Sequence, residues 1–464
     1  MSTINNTRIE RDSMGEMLVP AGAYYGASTM RAVLNFPISN LRFPRSFIRA
    51  LAQIKLVAAQ VNRELGLLEE KLAEAISTAA QEVAEGGFDE DFVVDIFQTG
   101  SGTSTNMNAN EVIASRATEL MGGDRGSNLI HPNDHVNKGQ SSNDIIPTTI
   151  HVSAVIEIQD TLIPALEVLE GALRDKSKEF WSVVKTGRTH LQDATPIRLG
   201  QEFLGYAGQI ERGIARAKHA QAQLSEVALG GTAVGTGVNT HPDFARLVCD
   251  ALSETLGLQI WETDNHFQAQ NTLDSVLEAS GSLRTIAVSM YKIANDVRWM
   301  GSGPRAGIGE IVLPEVQPGS SIMPGKINPV IAESVIQVVA QVIGCDVTIC
   351  QAAQGGYFEL NMMMPVAAHN LLQEIELLAA SATNFSRQCV SGLQATERAS
   401  ESVERGLMLA TALAPAIGYD AAASVAKEAA RTGQTIREVA TAQTDLSAEQ
   451  LDELLNAEAM TKPS

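Results

Sequence analysis

The segment PGSSIMPGKINP, residues 318–329, runs directly into PVIAESVIQVVAQVIGCDVTICQA, residues 329–352. Three prolines and two glycines deny the first part regular structure, while two serines, a lysine and an asparagine supply hydrogen-bond donors. A stretch this polar and this punctuated is a candidate mobile loop. In the second part, Asn328 before Pro329 reads as N-cap and first helical residue. Val330, Ile331, Val335, Ile336, Val338, Val339, Val342, Ile343, Val347 and Ile349 fall on all sides of the helix that follows. A helix apolar all round is a buried one, which places it at the centre of a helix bundle. The positive end of that helix lies beside Lys326, and such a place favours an anion. Glu333, one turn further in, needs a cationic or hydrogen-bonded partner, for which a protonatable His is the obvious choice.

Outward from this segment the chain is mostly helical. Periodicity predicts helices over Arg45–Leu65 and Glu69–Glu85, then over about Pro147–Phe180, Leu199–Ser225 and Asn271–Met300, and again from Pro365 to about Phe385. From Leu393 the pattern changes to shorter helices broken at Gly418 and Gly433, with 6 basic and 11 acidic residues, and reads as a small separate domain. At 464 residues the chain is too long for one ordinary domain, and two or three are expected.

The net charge of −20 argues against nucleic acid and anionic membranes as partners, since both are bound through clustered cations. Ten acids against one base between Glu64 and Asp95 account for much of it, most simply as a solvated helical face. Cys249, Cys345, Cys350 and Cys389 lack metal-binding spacing and read as reduced thiols. Met1–Met17 has no apolar core of a secretory signal, and no uninterrupted apolar stretch reaches membrane-spanning length. The expectation is a cytoplasmic protein.

Three further polar segments interrupt the helices. Gln98–Asn110, QTGSGTSTNMNAN, is uncharged and dense in hydroxyls and amides, and on its own reads equally as a loop capping a helix that starts near Ala109. His131–Asp144, HPNDHVNKGQSSND, leads into the next helix, and Pro132 disfavours a helical metal pair from His131 and His135. Gly187–Pro196, GRTHLQDATP, offers Arg188 for anion binding and His190 for proton transfer, although a lone His is more often structural. In the narrower windows Gln98–Asn110, Asn137–Asn143, Thr186–Gln192 and Pro318–Ala332 only Lys138, Arg188 and Lys326 are charged, and at a screening length of about 8 Å acids on a distant face contribute little there.

Taken together, the four segments resemble the fumarase/aspartase superfamily, whose signature GSSxMPxKxN stands intact at Gly319–Asn328. Within it the chain is most similar to the class II, iron-independent fumarases. QTGSGTSTNMNANE at Gln98–Glu111, His190 in GRTHLQDA, GGTAVGTG at Gly230–Gly237 and Gly325 carry that resemblance. In aspartate ammonia-lyases the position of His190 is typically Gln and that of Gly325 typically Ala. The opening from Arg8 to Thr29 is similar to a fumarase N-terminus as well.

The resemblance implies reversible hydration of fumarate to L-malate, with Ser320 removing the carbon proton and His190, paired with Glu333, assisting departure of hydroxide. From residue chemistry alone His190 would be the base, and Ser320 needs backbone donors and a nearby cation, for which Gly319, Gly325 and Lys326 are the candidates. Lys326 and Asn328 would hold the developing charge, and Ser101, Gly102, Thr103, Ser141, Ser142, Asn143, Thr189 and Ser321 would orient the dianion. His131, Asn133 and Asp134 match a second, non-catalytic anion site. No metal or organic cofactor is implied. The family architecture is mostly α, with an N-terminal domain here over 1–138, a long five-helix bundle over 139–392 that assembles into a twenty-helix tetramer core, and a small C-terminal domain over 393–464, each active site drawing on three chains. The rival enzyme reading is an aspartate ammonia-lyase. A rival from another class is a structural, crystallin-like protein, which need not retain Ser320, Lys326, Asn328, His190 and Glu333 together.

Overall fold

The computed structural model describes residues 6–463. Helices form wherever the apolar period persists: Arg45–Glu64, Glu70–Ala84, Leu199–Leu224, Asp274–Met300, Val330–Ala353 and Met364–Gln388. The helix expected from about Pro147 begins earlier, at Ser142, and reaches Glu179 through one wider π turn over Ile158–Leu162. Strands among the described residues are confined to five two-stranded ribbons, so the fold is mostly α, as the sequence implies.

Two compact units are present: Met1–Pro164 with Ala215–Thr285 and Ala340–Leu378, and Ala165–Ile214 with Ile286–Val339 and Ala379–Ser464. Each of the five boundaries between these segments falls inside one of the five long helices. In the first unit, the Arg45–Glu64 helix buries Phe47, Leu51, Ile54, Ala58 and Val61 and packs against the Glu70–Ala84 helix. That neighbour offers Ile76 and Val83 together with the small Ala79 and Ala80, which let the two backbones approach. Truncating Leu51 or Ile54 to Ala there would cost about 2–5 kcal/mol. Most of the acid-rich stretch is solvated, with Glu64, Glu69, Glu70, Glu74, Glu85, Asp89 and Glu90 exposed. Asp95 departs from that expectation: it is buried and accepts from Ser39 N, Ser39 Oγ and Phe97 N.

In the second unit, Phe180, Phe203 and Tyr206 meet edge to face, and the Tyr206 hydroxyl donates to Asp296 at 3.0 Å. The C-terminal helices break at Gly418 and Gly433, both at positive φ, and share a core of Leu409, Leu413, Val425, Ile436, Val439, Leu451 and Leu455. Cys249, Cys345 and Cys389 are buried, Cys350 is exposed, and all four are free thiols.

The apolar Val330–Ala353 helix needs a correction. It is long and apolar enough to cross a membrane, yet it is not buried all round within one chain. Val335, Val339, Val342 and Ile349 are covered, whereas Ile343 is 39% and Val347 55% exposed. One chain supplies packing partners for one side only. Asp346, on the covered side, accepts from Ser280 Oγ at 3.0 Å and Arg284 Nη1 at 2.6 Å.

Candidate active site

The first unit carries two of the polar motifs. Gln98–Asn110 is loop only as far as Gly102: the helix starts at Thr103, six residues before Ala109. Gly102 turns the chain at φ +72°, and a Cβ there would stand 2.9 Å from Ile146 Cγ1. Gln98 folds over the helix start, accepting from Thr105 N at 3.0 Å. Buried polar residues of this helix find partners for their amides, as Asn108 does by donating to Asp91 O at 2.9 Å, while the side-chain oxygens of Asn106 and Asn110 are buried without one. Ser101 and Thr103 share a hydroxyl–hydroxyl bond of 2.8 Å, which leaves one of their two protons for a ligand. Glu111, closing the motif, accepts from Gly26 N, Ser28 N, Thr29 N and Thr29 Oγ1, and these bonds oppose the rise in its pKa that burial causes.

Ser141 caps the Ser142–Glu157 helix, accepting from Asn143 N at 3.2 Å, while Asp144 completes the capping box by accepting from Ser141 N at 2.9 Å. The second oxygen of Asp144 accepts from Gly230 N at 3.1 Å and Thr232 N at 3.0 Å. Asn143 donates to Ala233 O at 2.8 Å. The glycine-rich segment Gly230–Gly237 is thereby folded onto the start of the helix that bears Ser141, Ser142 and Asn143. Burial raises the pKa of Asp144, and the three backbone N–H groups and the Lys55 charge pull it back.

At the expected second anion site, His131 Nδ1 accepts from Asn133 N at 3.3 Å and Asp134 N at 3.1 Å. These two backbone N–H groups are thus taken by the protein's own ring. Because Nδ1 accepts from two N–H groups, its 3.3 Å approach to the Asp134 carboxylate is not an ion pair through a proton on that nitrogen.

The second unit carries the other two motifs. Gly187–Pro196 lies in a hairpin, Val184–Thr189 against Gln192–Arg198, with His190 and Leu191 as its two-residue tip. Both tip residues have positive φ, 54° and 58°, the geometry of the turn that matches strand twist but disfavours side chains. Thr189 and His190 are exposed. At the base, Arg188 makes a two-pronged bond to Glu310, at 3.0 and 2.6 Å. Lys185, 1% exposed, reaches Glu310 at 3.0 Å and Glu202 at 2.9 Å. Arg188, which the sequence offers as an anion binder, is therefore committed to a buried carboxylate, leaving Lys138 and Lys326 as the uncommitted cations of the motif windows.

In the signature loop, Ser320 Oγ accepts from Ile322 N at 3.2 Å and Met323 N at 2.9 Å. The backbone donors around this oxygen thus belong to Ile322 and Met323, not to Gly319 or Gly325. Asn328 does not cap the helix with its side chain: its amide donates back to Gly319 O at 2.6 Å, and the helix begins at Val330, one residue late. A Cβ on Gly319 would stand 2.1 Å from Lys326 O, so only glycine allows this closure. Lys326, Asn328, Glu333 and Arg298 line an open cleft of about 560 Å³. Ser321 is exposed beside it in sequence. His190 and Glu333 belong to the same unit, yet no hydrogen bond or ion pair joins them within the chain.

Asp144, Asn106 and Lys55, whose hydrogen bonds tie these motifs together, are residues that sequence reasoning missed. For Asp144 a signal exists, the Ser-x-x-Asp capping box.

Residues 15–344 match a family model described as lyase, and residues 409–462 match one described as fumarase C C-terminus. The chain is 55% identical to the class II fumarate hydratase of Halobacterium salinarum, over 98% of this chain and 97% of that protein. It is 51% identical to a class II fumarate hydratase of Bradyrhizobium diazoefficiens, over 98% and 97%. The chain belongs to the class II fumarases. A crystal structure of the class II fumarase from Schistosoma mansoni superposes with a TM-score of 0.97 at 40% identity, covering 99% of this chain and 100% of that one. Within that fold the His190 hairpin is held by ion pairs, and the other three motifs are held by hydrogen bonds.

Proposed function

We propose that this class II fumarase catalyses the reversible hydration of fumarate to L-malate as a tetramer, with Ser320 as the base toward carbon. Read toward fumarate, the Ser320 alkoxide takes the proton from the carbon beside one carboxylate. The electron pair of that C–H bond moves into the carboxylate, giving a doubly charged aci-carboxylate. Lys326 and Asn328 stabilise this added charge, a role in which each preorganised donor is worth about 3–4 kcal/mol. The C–O bond then breaks, and His190, with Glu333 as its partner, delivers a proton so that the hydroxyl leaves as water. Ser101, Gly102, Thr103, Ser141, Ser142, Asn143, Thr189 and Ser321 orient the dianion.

The observation that carries this role for Ser320 is its pair of backbone donors, since two N–H groups aimed at Oγ favour the oxyanion over the hydroxyl. His190 and Gly325 stand where aspartate ammonia-lyases typically carry Gln and Ala, which favours malate over aspartate. Tetramer formation covers the exposed Ile343 and Val347, and it gives His190 access to a Glu333 that it does not bond within its own chain. Each site then joins motif regions from different chains. The division at about residues 138 and 392 describes the enzyme's domains, and the separate core of the C-terminal helices supports the second of these limits. The working location is the cytoplasm.

Purified protein given malate should produce the ultraviolet absorbance of fumarate, and given aspartate should produce none. Ser320→Ala should abolish turnover while malate binding, followed by calorimetry, is kept. Near-normal turnover in that variant would remove Ser320 from its role.

A further inference from the structure

Lys55 lies on the apolar face of the Arg45–Glu64 helix, among Leu51, Ile54, Ala58 and Ala59, with none of its surface exposed. Its ammonium donates to Asn137 Oδ1 at 2.9 Å and Gln140 Oε1 at 2.8 Å, both neutral acceptors. Asp144 is the carboxylate whose charge it feels, and no ion pair joins the two. An ammonium so placed is expensive, and burial pushes it down to about 7. Methionine would fill the same space without that cost, so packing alone does not account for the residue.

What Lys55 holds accounts for it. Asn137 Oδ1 also accepts from Asn106 Nδ2 at 3.2 Å, and the same Nδ2 donates to Ser142 Oγ at 3.1 Å. Gln140 in turn donates to Val136 O and Lys138 O, both at 3.2 Å, which fixes the turn leading into the Ser141 cap. Lys55 thus sits where the two polar motifs of the first unit join. Because Asn106 occupies a lone pair of Ser142 Oγ, the hydroxyl proton of Ser142 is left for another acceptor.

We propose that Lys55 is a positioning residue for the substrate dianion: through Asn137, Gln140 and Asn106 it fixes the Ser141–Asn143 helix start and aims the Ser142 hydroxyl at a substrate carboxylate. This rests on the assignment of Ser141, Ser142 and Asn143 to substrate binding. Removing Lys55 leaves the Gln140 Oε1 oxygen unpaired and Asn137 Oδ1 with Asn106 alone, and lets the turn relax, so ground-state and transition-state binding weaken together.

The test is steady-state kinetics with malate, alongside thermal melting, on the full-length protein and its variants. Lys55→Met should raise KM about tenfold with kcat within about threefold of the parent. Lys55→Gln, whose amide keeps two donors, should recover most of that rise. Asn106→Ala, which cuts the link to Ser142 and leaves Lys55 in place, should also raise KM several-fold. Parental KM in a folded Lys55→Met protein would overturn the proposal, even if its melting temperature falls. Should Lys55→Met not fold, parental KM in Asn106→Ala overturns it equally. Absence of malate turnover in the parent would instead overturn the hydratase function, a separate outcome.

Discussion

The hairpin that carries His190 is anchored by long-range charge: Lys185 and Arg188 converge on the buried Glu310, and Lys185 also holds Glu202. The loop that carries Ser320 has side-chain bonds only to itself, from Asn328 to Gly319 O and from the Ile322 and Met323 amides to Ser320 Oγ. Ile322 at its crest is 83% exposed. The difference is the one expected if His190 and Ser320 have the two tasks proposed for them. An imidazole that must meet a carboxylate and a water needs fixed orientation, and a tip with two residues at positive φ persists only on a base that over-determines it. A base that closes over a dianion must let it in first, so its loop is held by weak internal bonds that open at low cost.

The contrast can be broken at its strong end first. Glu310→Gln leaves two cations with a neutral amide, and destabilisation of about 3–5 kcal/mol is expected in a denaturant titration, with kcat lost alongside. A small change in midpoint would show that the hairpin does not depend on that carboxylate. At the weak end, Gly319→Ala cannot close against Lys326 O, and kcat should fall about 100-fold while the melting temperature stays within about 2 °C of the parent. A matched loss of stability would mean that the loop is as firmly built as the hairpin. Asn328→Ala removes one internal bond of about 1 kcal/mol, so cleavage within Pro318–Asn328 under native conditions should quicken about fivefold, and the hairpin should stay resistant. The smallest effect belongs to the tip. Leu191→Gly relieves a side chain at φ +58° that is 66% exposed, and a gain of about 0.5 kcal/mol is expected.

The helices were legible because apolar periodicity is a local signal that survives wherever one face is buried. Where the sequence misled, a long-range partner had intervened. Gln98–Asn110 read as a loop up to about Ala109, but Gln98, Asn137 and Asp91 take up polar groups of Thr105, Asn106 and Asn108 inside the first unit, and the helix starts at Thr103. Asn328 had the chemistry of an N-cap and was drawn instead to Gly319 O, nine residues back. Lys55 carried a signal that went unread, a charge on the buried face of an amphipathic helix.

By itself the sequence determined the helical class, the order of the four motifs and the residue types available for proton transfer and anion binding, since composition, spacing and motif identity are properties of the chain alone. Tertiary structure alone decided which of those groups are free to act. Arg188 became a strut because Glu310, 122 residues away, is buried against it. Lys55 reached the turn before Ser141 because Asn137, 82 residues on, folds beneath its helix. Ser320 obtained oxyanion donors because its loop turns Ile322 and Met323 N–H inward. A side chain's function depends on which partner satisfies it, and for these groups burial, hydrogen-bond geometry and chain closure settle that choice in three dimensions.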